Sequence, residues 1–164
     1  MGTRTIDGTL EAVWLKRRRS SLAIYDRLQF RLADGRQVDV GKSIAAPAVA
    51  DGLVPGTSGR FYLYEAIDHK GVHGLRDACG GAVYAFPTVN ETAMGIVAAL
   101  NVLWLAASVL LTDRIPLLPL FVAAIAVPGY ILYRGTRLEA RRQFDRDAGY
   151  APAAAGDGAG AVHA

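Results

Sequence analysis

The sequence is organised around two apolar stretches, TAMGIVAALNVLWLAASVLLT at residues 92–112 and IPLLPLFVAAIAVPGYILY at residues 115–133. Neither stretch contains a charged residue, and only Asp113 and Arg114 separate them. As α-helices they would be about 31 Å and about 28 Å long, close to the thickness of the hydrocarbon core of a bilayer. The sequence therefore predicts an antiparallel transmembrane helical hairpin over residues 88–134, with spans at about 92–112 and 115–133. A helical hairpin buried in a soluble protein is the alternative.

Two residues inside the hairpin, Asn101 and Pro128, are polar or helix-breaking. Pro128 removes the helix hydrogen bond to the carbonyl of Ala124, and Asn101 should lie at the depth of that carbonyl. We therefore expect the Asn101 side chain to face the second helix and bond Ala124, an interaction of about 0.6–2 kcal/mol. An Asn101 that faces a partner subunit, or that bonds only its own backbone, fits equally well. Small residues that permit close helix packing are Gly95, Ala98, Ala99, Ala106, Ala107, Ala123, Ala124 and Ala126.

Positive charges predict the orientation of the hairpin. Arg114 alone lies between the spans, whereas an arginine collar follows the second span: Arg134, Arg137, Arg141, Arg142 and Arg146. The positive-inside rule then places the C-terminal segment in the cytoplasm, and an even number of spans places the N-terminal domain there too. We therefore expect a multi-pass protein of the inner (cytoplasmic) membrane with both termini cytoplasmic. Leu138 and Phe144 are expected to touch the bilayer surface while the arginines reach lipid phosphates.

Length and composition leave room for one further domain. The chain has 164 residues, of which 52% are hydrophobic, and a formal net charge of +3. Without the hairpin and the C-terminal residues, about 88 residues remain, enough for one small domain. The first residues are polar and mixed, unlike a cleavable signal, so we expect insertion to rely on the hairpin. The single cysteine, Cys79, agrees with a reducing compartment.

The N-terminal part of the chain alternates apolar and polar residues at the period of half-buried strands. The pattern predicts strands at about 6–14, 22–32, 38–41, 60–67, 72–76 and 82–86. An alanine-rich segment at 45–54 predicts one or two helical turns or a loop. Three strands, a short helix and further strands is the order of an OB-like barrel, and an SH3-like barrel fits nearly as well.

These patterns together predict an α+β membrane protein with three parts. Residues 1–87 form a cytosolic small β-barrel, and residues 88–134 form the transmembrane hairpin. Residues 135–164 form a basic juxtamembrane segment and a disordered Ala/Gly-rich tail.

Two stretches, GRFYLY at residues 59–64 and VYAFP at residues 83–87, are similar to parts of small uncharacterised bacterial membrane proteins, some of them found near secretion-system genes. The combination of barrel and membrane helices also resembles the NfeD-type membrane proteins, which join an OB-like domain to transmembrane helices. Here the barrel precedes the helices, and no residue motif carries over. The resemblance implies a bacterial inner-membrane protein with an OB-like domain, and it implies no activity and no site residues.

The densest set of reactive side chains surrounds the fifth predicted strand. His69, His73 and Cys79 lie close in sequence to the carboxylates of Asp68 and Asp77. Such groups could hold zinc, but their spacing matches no recognised zinc pattern, and ordinary turn residues explain them better. No phosphate loop, dinucleotide fingerprint or nucleophile elbow occurs in the sequence. We therefore predict no catalytic or cofactor-binding residue and no cofactor, with His69, His73 and Cys79 as the metal candidates.

A basic run, Lys16, Arg17, Arg18 and Arg19, follows the first predicted strand. The simplest interpretation is a solvated hairpin loop. The run could instead bind anionic lipid, together with the collar residues Arg134, Arg137, Arg141 and Arg142. Nucleic acid is disfavoured as a partner, because the aromatic residues that could stack on bases are expected mainly in the barrel core: Trp14, Tyr25, Phe30, Tyr62 and Tyr64.

The sequence therefore predicts a non-enzymatic scaffold. A membrane anchor would present a cytosolic barrel to a protein partner, a membrane assembly or a second copy of the chain. A lipid- or anion-sensing module based on the basic run and the collar is one alternative. A metal site or enzyme around His69, His73 and Cys79 is the other.

Overall fold

The computed structural model describes residues 2–66, 69–112 and 115–150. The described chain divides into two compact units. One unit comprises residues 2–86 together with residues 140–150, and the other comprises residues 87–139. The C-terminal residues 140–150 thus belong to the same unit as the N-terminal domain.

The described part of the first unit contains seven strands, one short helix and, from residue 140, the end of the last helix of the chain. The strands and the short helix are β1 (Gly2–Arg18), β2 (Ala23–Leu32), β3 (Gln37–Val40), β4 (Ser43–Ala45), α1 (Pro47–Gly52), β5 (Ser58–Glu65), β6 (Lys70–Asp77) and β7 (Ala82–Tyr84). Strand β1 pairs antiparallel with both β2 and β5, β5 pairs with β6, and β2 pairs with β4. A parallel pairing of β4 with β6 completes the circle, so five strands form a closed barrel. Strands β3 and β7 extend the sheet beside β2 and β6.

The barrel interior is filled by large apolar side chains from all sides. Leu10, Leu28, Phe30 and Phe61 are fully buried, and the Phe30 and Phe61 rings meet edge to face with their centroids 4.8 Å apart. Val49 of α1 is also fully buried and joins the same core. The apolar residues that alternate along the strands therefore point into the barrel interior, and the predicted small β-barrel is confirmed.

The sequence did not predict β4, the strand that closes the barrel. It consists of three residues, Ser43–Ala45, and its parallel partner is residues 71–72 of β6. A three-residue strand is too short to show a period, and the alanine-rich segment that follows it favours helix. Pairing across the barrel, rather than local propensity, holds these residues extended.

Two long apolar helices follow the barrel, as predicted: α2 (Val89–Thr112) and α3 (Leu117–Arg146). Both are long and apolar enough to cross a bilayer. Pro128 lies inside α3, and the helix continues well beyond the predicted span to Arg146. Gly135, although a poor helix former, lies inside α3 and does not end it.

Within the second unit, small residues bring α2 and α3 together. A side chain on Gly95 would meet the Tyr130 ring at 3.3 Å, and one on Gly129 would meet Met94. An ion pair between Glu91 and Arg137, with 2.8 Å between Oε2 and Nε, joins the start of α2 to α3. Among the small residues singled out in the sequence, three are buried: Ala98, Ala123 and Ala126.

Asn101 makes a local hydrogen bond in the structure. Its Nδ2 donates to the carbonyl oxygen of Val97, one turn earlier in α2, at 2.8 Å. The side chain thus bonds its own backbone rather than the Ala124 carbonyl that Pro128 leaves without a helix partner. A carbonyl four residues earlier is always within reach of a helical side chain, whereas a bond between helices requires close approach at that depth.

Candidate functional site

The most elaborate contact surface of the first unit is the outer face of β5, β6 and β7, which is covered by residues 140–150. We call these residues the C-terminal clamp. Phe144 is buried there, with its ring centroid 5.0 Å from that of Tyr62 and 5.3 Å from that of Tyr84. Gly74 makes room for Phe144, since a Cβ at this position would meet the Phe144 ring at 2.7 Å. Phe144 therefore packs on the barrel, and the expectation that it touches the bilayer surface was wrong.

Arg76 and Arg141 hold the clamp from two sides. The Arg76 guanidinium lies 4.3 Å from the centre of the Phe144 ring, and its Nη2 donates to the Phe144 carbonyl oxygen at 3.1 Å. The Arg141 guanidinium lies 4.9 Å from the centre of the Tyr84 ring. Such cation–π contacts contribute roughly 0.5–2 kcal/mol each, depending on exposure. The clamp thus combines apolar burial with charged contacts.

A polar cluster around Arg60 completes the clamp. Arg60 donates two hydrogen bonds to Asp7, at 2.7 and 2.8 Å, and a third to Asp147 at 3.1 Å. The Tyr62 hydroxyl donates to the same Asp147 oxygen at 3.0 Å, and the Tyr150 ring stacks 4.0 Å from the Arg60 guanidinium. Burial, supported by the Asp147 carboxylate, raises the pKa of Tyr62 to about 12. Tyr62 therefore stays neutral and acts as a structural donor.

His73 lies in the middle of β6, fully buried within the aromatic cluster under the clamp. The rings of Tyr62, Tyr64 and Tyr84 have their centroids about 6 Å away. Burial lowers the pKa of His73 to about 4, and the backbone of Ala140 opposes this shift without cancelling it. His73 is therefore a neutral imidazole that fills an aromatic cluster, and it lies in a strand as the predicted strand at 72–76 implied.

The metal candidates are not brought together. Within residues 2–66, 69–112 and 115–150, no three His, Cys, Asp or Glu side chains form a group that could hold a metal ion. His69 stacks edge-on against Tyr64, with centroids 5.6 Å apart. Cys79 is exposed in the turn between β6 and β7, where its N–H donates to Asp77. Asp68 lies outside the described residues.

The basic run ends β1 and enters its hairpin with β2. Lys16 pairs with Asp26 at 3.1 Å, and Arg18 pairs with Asp51. Arg17 and Arg19 are exposed and have no ion-pair or hydrogen-bond partner for their guanidinium groups among the described residues. Two of the four positive charges of the basic run are thus neutralised by ion pairs within the domain, and the other two are available to bind an anion.

The collar arginines differ in the same way. Arg134 donates to the Tyr130 hydroxyl at 2.8 Å, Arg137 pairs with Glu91, and Arg141 pairs with Asp145. Arg142 is exposed, with no hydrogen bond or ion pair of its side chain in the described part of the chain. Four of the five aromatic residues considered as base-stacking platforms are buried, namely Tyr25, Phe30, Tyr62 and Tyr64, and only Trp14 is exposed.

Comparison of the chain with protein-family models, with curated proteins and with solved structures gave no match. The assessment of function therefore rests on geometry. Because side chains fill the barrel interior, the surfaces that could bind another molecule are the outer ones. The contacts of Gly74, Phe144 and Asp147 in the C-terminal clamp were not predicted from the sequence. The one available signal was the glycine at 74 inside a strand pattern, which often marks close approach of another part of the chain.

Proposed function

We propose that this protein is a non-enzymatic scaffold of the inner membrane, in which α2 and α3 cross the bilayer and hold the barrel in the cytoplasm. The observation that carries the proposal is the exposure of large apolar side chains along both helices. Leu110 and Leu111 of α2 are more than 80% exposed. Most of the other large apolar side chains of α2 and α3 are also exposed, although to a lesser extent. Exposed apolar area on this scale marks a membrane or partner surface.

The charge distribution supports the proposed orientation. The arginine collar lies in the C-terminal half of α3, where anionic lipids of the cytoplasmic leaflet would attract it. Tyr130 and Tyr133 lie just before the collar, as expected for aromatic residues at a membrane interface. The start of α2 would then lie on the same side, together with the barrel.

The pairing order supports an OB-type barrel as the recognition module. Strand β1 pairs with both β2 and β5, and a short strand before α1 runs parallel to the last barrel strand. OB-type barrels bind ligands on their outer surface and loops. Anchoring such a barrel confines it to a thin layer next to the bilayer and raises its effective concentration for partners there. The proposed partner is a protein or membrane assembly in that layer, or a second copy of the chain.

The exposed cysteine offers a direct test of membrane orientation. In intact cells, Cys79 should not react with a membrane-impermeant maleimide, and it should react after permeabilisation, because the barrel is proposed to be cytoplasmic. The chain should also stay in the membrane fraction after an alkaline carbonate wash. Release by carbonate, or labelling of Cys79 from outside, would refute the anchor or its orientation.

A matched variant reports on the opposite side. Cys79→Ser combined with Ile115→Cys moves the single thiol to the 65% exposed residue before α3. This thiol should react in intact cells if both helices cross the bilayer. Co-purification in mild detergent, after crosslinking in cells, should then recover one specific partner or a dimer. Repeated recovery of the chain alone would remove the scaffold part of the proposal.

A further inference from the structure

We propose that the tip of the β1–β2 hairpin docks on the head groups of an anionic lipid bilayer. The hairpin tip comprises residues 14–27, the end of β1, the turn and the start of β2. This inference goes beyond the proposed function, which needs only an anchor and a barrel. It rests on three properties of the tip: exposed apolar side chains, uncompensated positive charge and a well-formed backbone.

The tip carries two of the three exposed large apolar side chains in the described part of the first unit. Within the described part of the first unit, only Trp14, Leu15 and Val54 are large apolar residues that are more than a third exposed. Trp14 is 44% exposed and Leu15 51%, and they are adjacent in β1. Tryptophan and leucine beside basic residues are the combination that enters the boundary between head groups and acyl chains.

The charge of the tip is positive after its ion pairs are formed. Three of its five basic residues are neutralised, Lys16 by Asp26, Arg18 by Asp51 and Arg27 by Asp39. The remaining arginines, Arg17 and Arg19, flank the second of these pairs on an exposed strand end and turn. Charge complementarity therefore selects an anionic surface rather than a zwitterionic or cationic one.

The tip is held in one conformation before it binds. The ladder between β1 and β2 continues to the pair Arg18 and Ala23, and the Arg19 N–H donates to the Leu22 carbonyl oxygen at 2.8 Å. The Arg27 guanidinium lies 4.8 Å from the centre of the Trp14 ring and supports it. A preformed tip loses little conformational entropy when it docks.

A lipid surface fits these residues better than nucleic acid does. Single-stranded nucleic acid needs a row of aromatic rings on which successive bases stack. Trp14 is the one exposed ring of the five aromatic residues considered, and Arg27 already stacks against it. A bilayer requires no such row, because it accepts one inserted tryptophan and one leucine.

The two tryptophans allow a direct test in the full-length protein. The chain contains the tryptophans Trp14 and Trp104 only, so Trp104→Phe leaves Trp14 as the single tryptophan, whose emission is excited selectively over that of the tyrosines. The purified protein is reconstituted in nanodiscs, and brominated lipids are supplied either in the disc or in added vesicles. The nanodiscs and the vesicles are each prepared in two versions, one of phosphatidylcholine alone and one that also contains phosphatidylglycerol. We expect quenching of Trp14 by brominated phosphatidylglycerol mixtures, loss of quenching at high salt, and little quenching by phosphatidylcholine alone.

Variants separate the tip from general electrostatics. Arg17→Gln with Arg19→Gln should weaken vesicle binding roughly thirtyfold, from about fivefold per arginine. Arg4→Gln with Arg36→Gln removes the same charge from exposed positions outside the tip and should have a much smaller effect. Leu15→Ser should reduce quenching at every salt concentration, because it removes the apolar contact.

Failure of this inference can be distinguished from failure of the membrane anchor. In the Trp14→Phe variant, Trp104 reports on α2 and should be quenched by brominated lipids in the disc whatever their charge. Quenching of Trp104 with none of Trp14 in disc or vesicle would overturn lipid docking and leave the anchor intact. Equal losses in the two double variants would also overturn it. So would tip-dependent binding of a single-stranded oligonucleotide without quenching by lipid.

Discussion

The barrel core and the two long helices contain similar apolar residues in opposite surroundings. Phe61 in the barrel is fully buried, whereas Phe121 in α3 is 66% exposed. In the strands, apolar residues alternate with polar ones, so that one face points inward. The helices are apolar all round over their spans, and no single neighbouring helix can cover such a surface. The barrel therefore buries its large apolar side chains in its own interior, while most of those on the helices stay exposed in the described chain.

The strongest test of this difference removes the same side chain from both regions. Phe61→Ala should lower the free energy of unfolding of the barrel by about 3–5 kcal/mol, because it deletes a buried ring and leaves a cavity. Phe121→Ala should leave barrel stability within about 0.5 kcal/mol of wild type. Urea titration of the detergent-solubilised protein, followed by barrel circular dichroism, measures both. Equal losses would show that the helices share the barrel's core.

Acid should weaken the barrel through His73 and leave the apolar spans unaffected. The pKa of His73 is about 4 in the folded barrel, against an unfolded value near 6.5. The unfolded chain therefore binds the proton first as pH falls. Stability from this group is fully present above pH 6.5 and is lost progressively toward pH 4, by roughly 3 kcal/mol in total.

The control for this pH dependence is His73→Phe, which keeps an aromatic ring and removes the titrating group. Urea unfolding of wild type and variant at several pH values between 7.5 and 4.5 measures the two slopes. The variant should lose much less stability than wild type over this window. Parallel slopes would mean that other groups, and not His73, carry the acid sensitivity.

The C-terminal clamp can be tested by filling the space at Gly74. Gly74→Ala places a methyl group 2.7 Å from the Phe144 ring and should destabilise the barrel by about 1–3 kcal/mol. Gly41→Ala, where a Cβ meets nothing within 4 Å, is the matched control. Adding Phe144→Leu to Gly74→Ala should recover part of the loss, and a double-mutant cycle from urea titrations measures this coupling. Strict additivity would contradict the contact.

The smallest expected effect concerns the charged edge of the clamp. Asp147→Asn should cost about 1 kcal/mol, because Asp147 accepts hydrogen bonds from Arg60 and Tyr62 at a partly buried site. Asp145→Asn should cost about 0.3–0.5 kcal/mol, since Asp145 makes only an exposed pair with Arg141 four residues earlier in α3. Thermal unfolding of both variants should show the larger loss of stability for Asp147→Asn. The reverse order would mean that the Arg60 cluster does not stabilise the clamp.

What the sequence could predict follows the range of its physical signals. Alternation over many residues located β1, β2, β5 and β6, and uninterrupted apolar length located α2 and α3. Strand β4 is too short to carry a period, and only its partner on β6 holds it extended. Phe144 lies among arginines in the sequence, so nothing nearby indicates that it is buried. Its burial depends on the space above Gly74, far away in sequence. His73 lay inside a predicted strand, but its burial depends on aromatic rings of other strands and could not be predicted from that pattern.

The candidate sites show the same limit. The basic run was evident from composition, but its division into paired and available charges depends on Asp26 and Asp51 in other elements. The polar cluster joins Asp7, Arg60 and Asp147 from three separate parts of the chain. Contacts of this kind arise from tertiary folding and have no local signature.

Because residues 140–150 cover a face of the barrel that residues 2–86 form, the order of synthesis has a consequence. A ribosome makes every barrel strand, all of α2 and the apolar part of α3 before it makes Phe144 and Asp147. Until then the side chains that cover the aromatic face around Tyr62 and Tyr84 are missing from the nascent chain. Chaperones that shield such faces, or a stop codon that removes the last turns of α3, would decide whether newly made chains mature or are degraded.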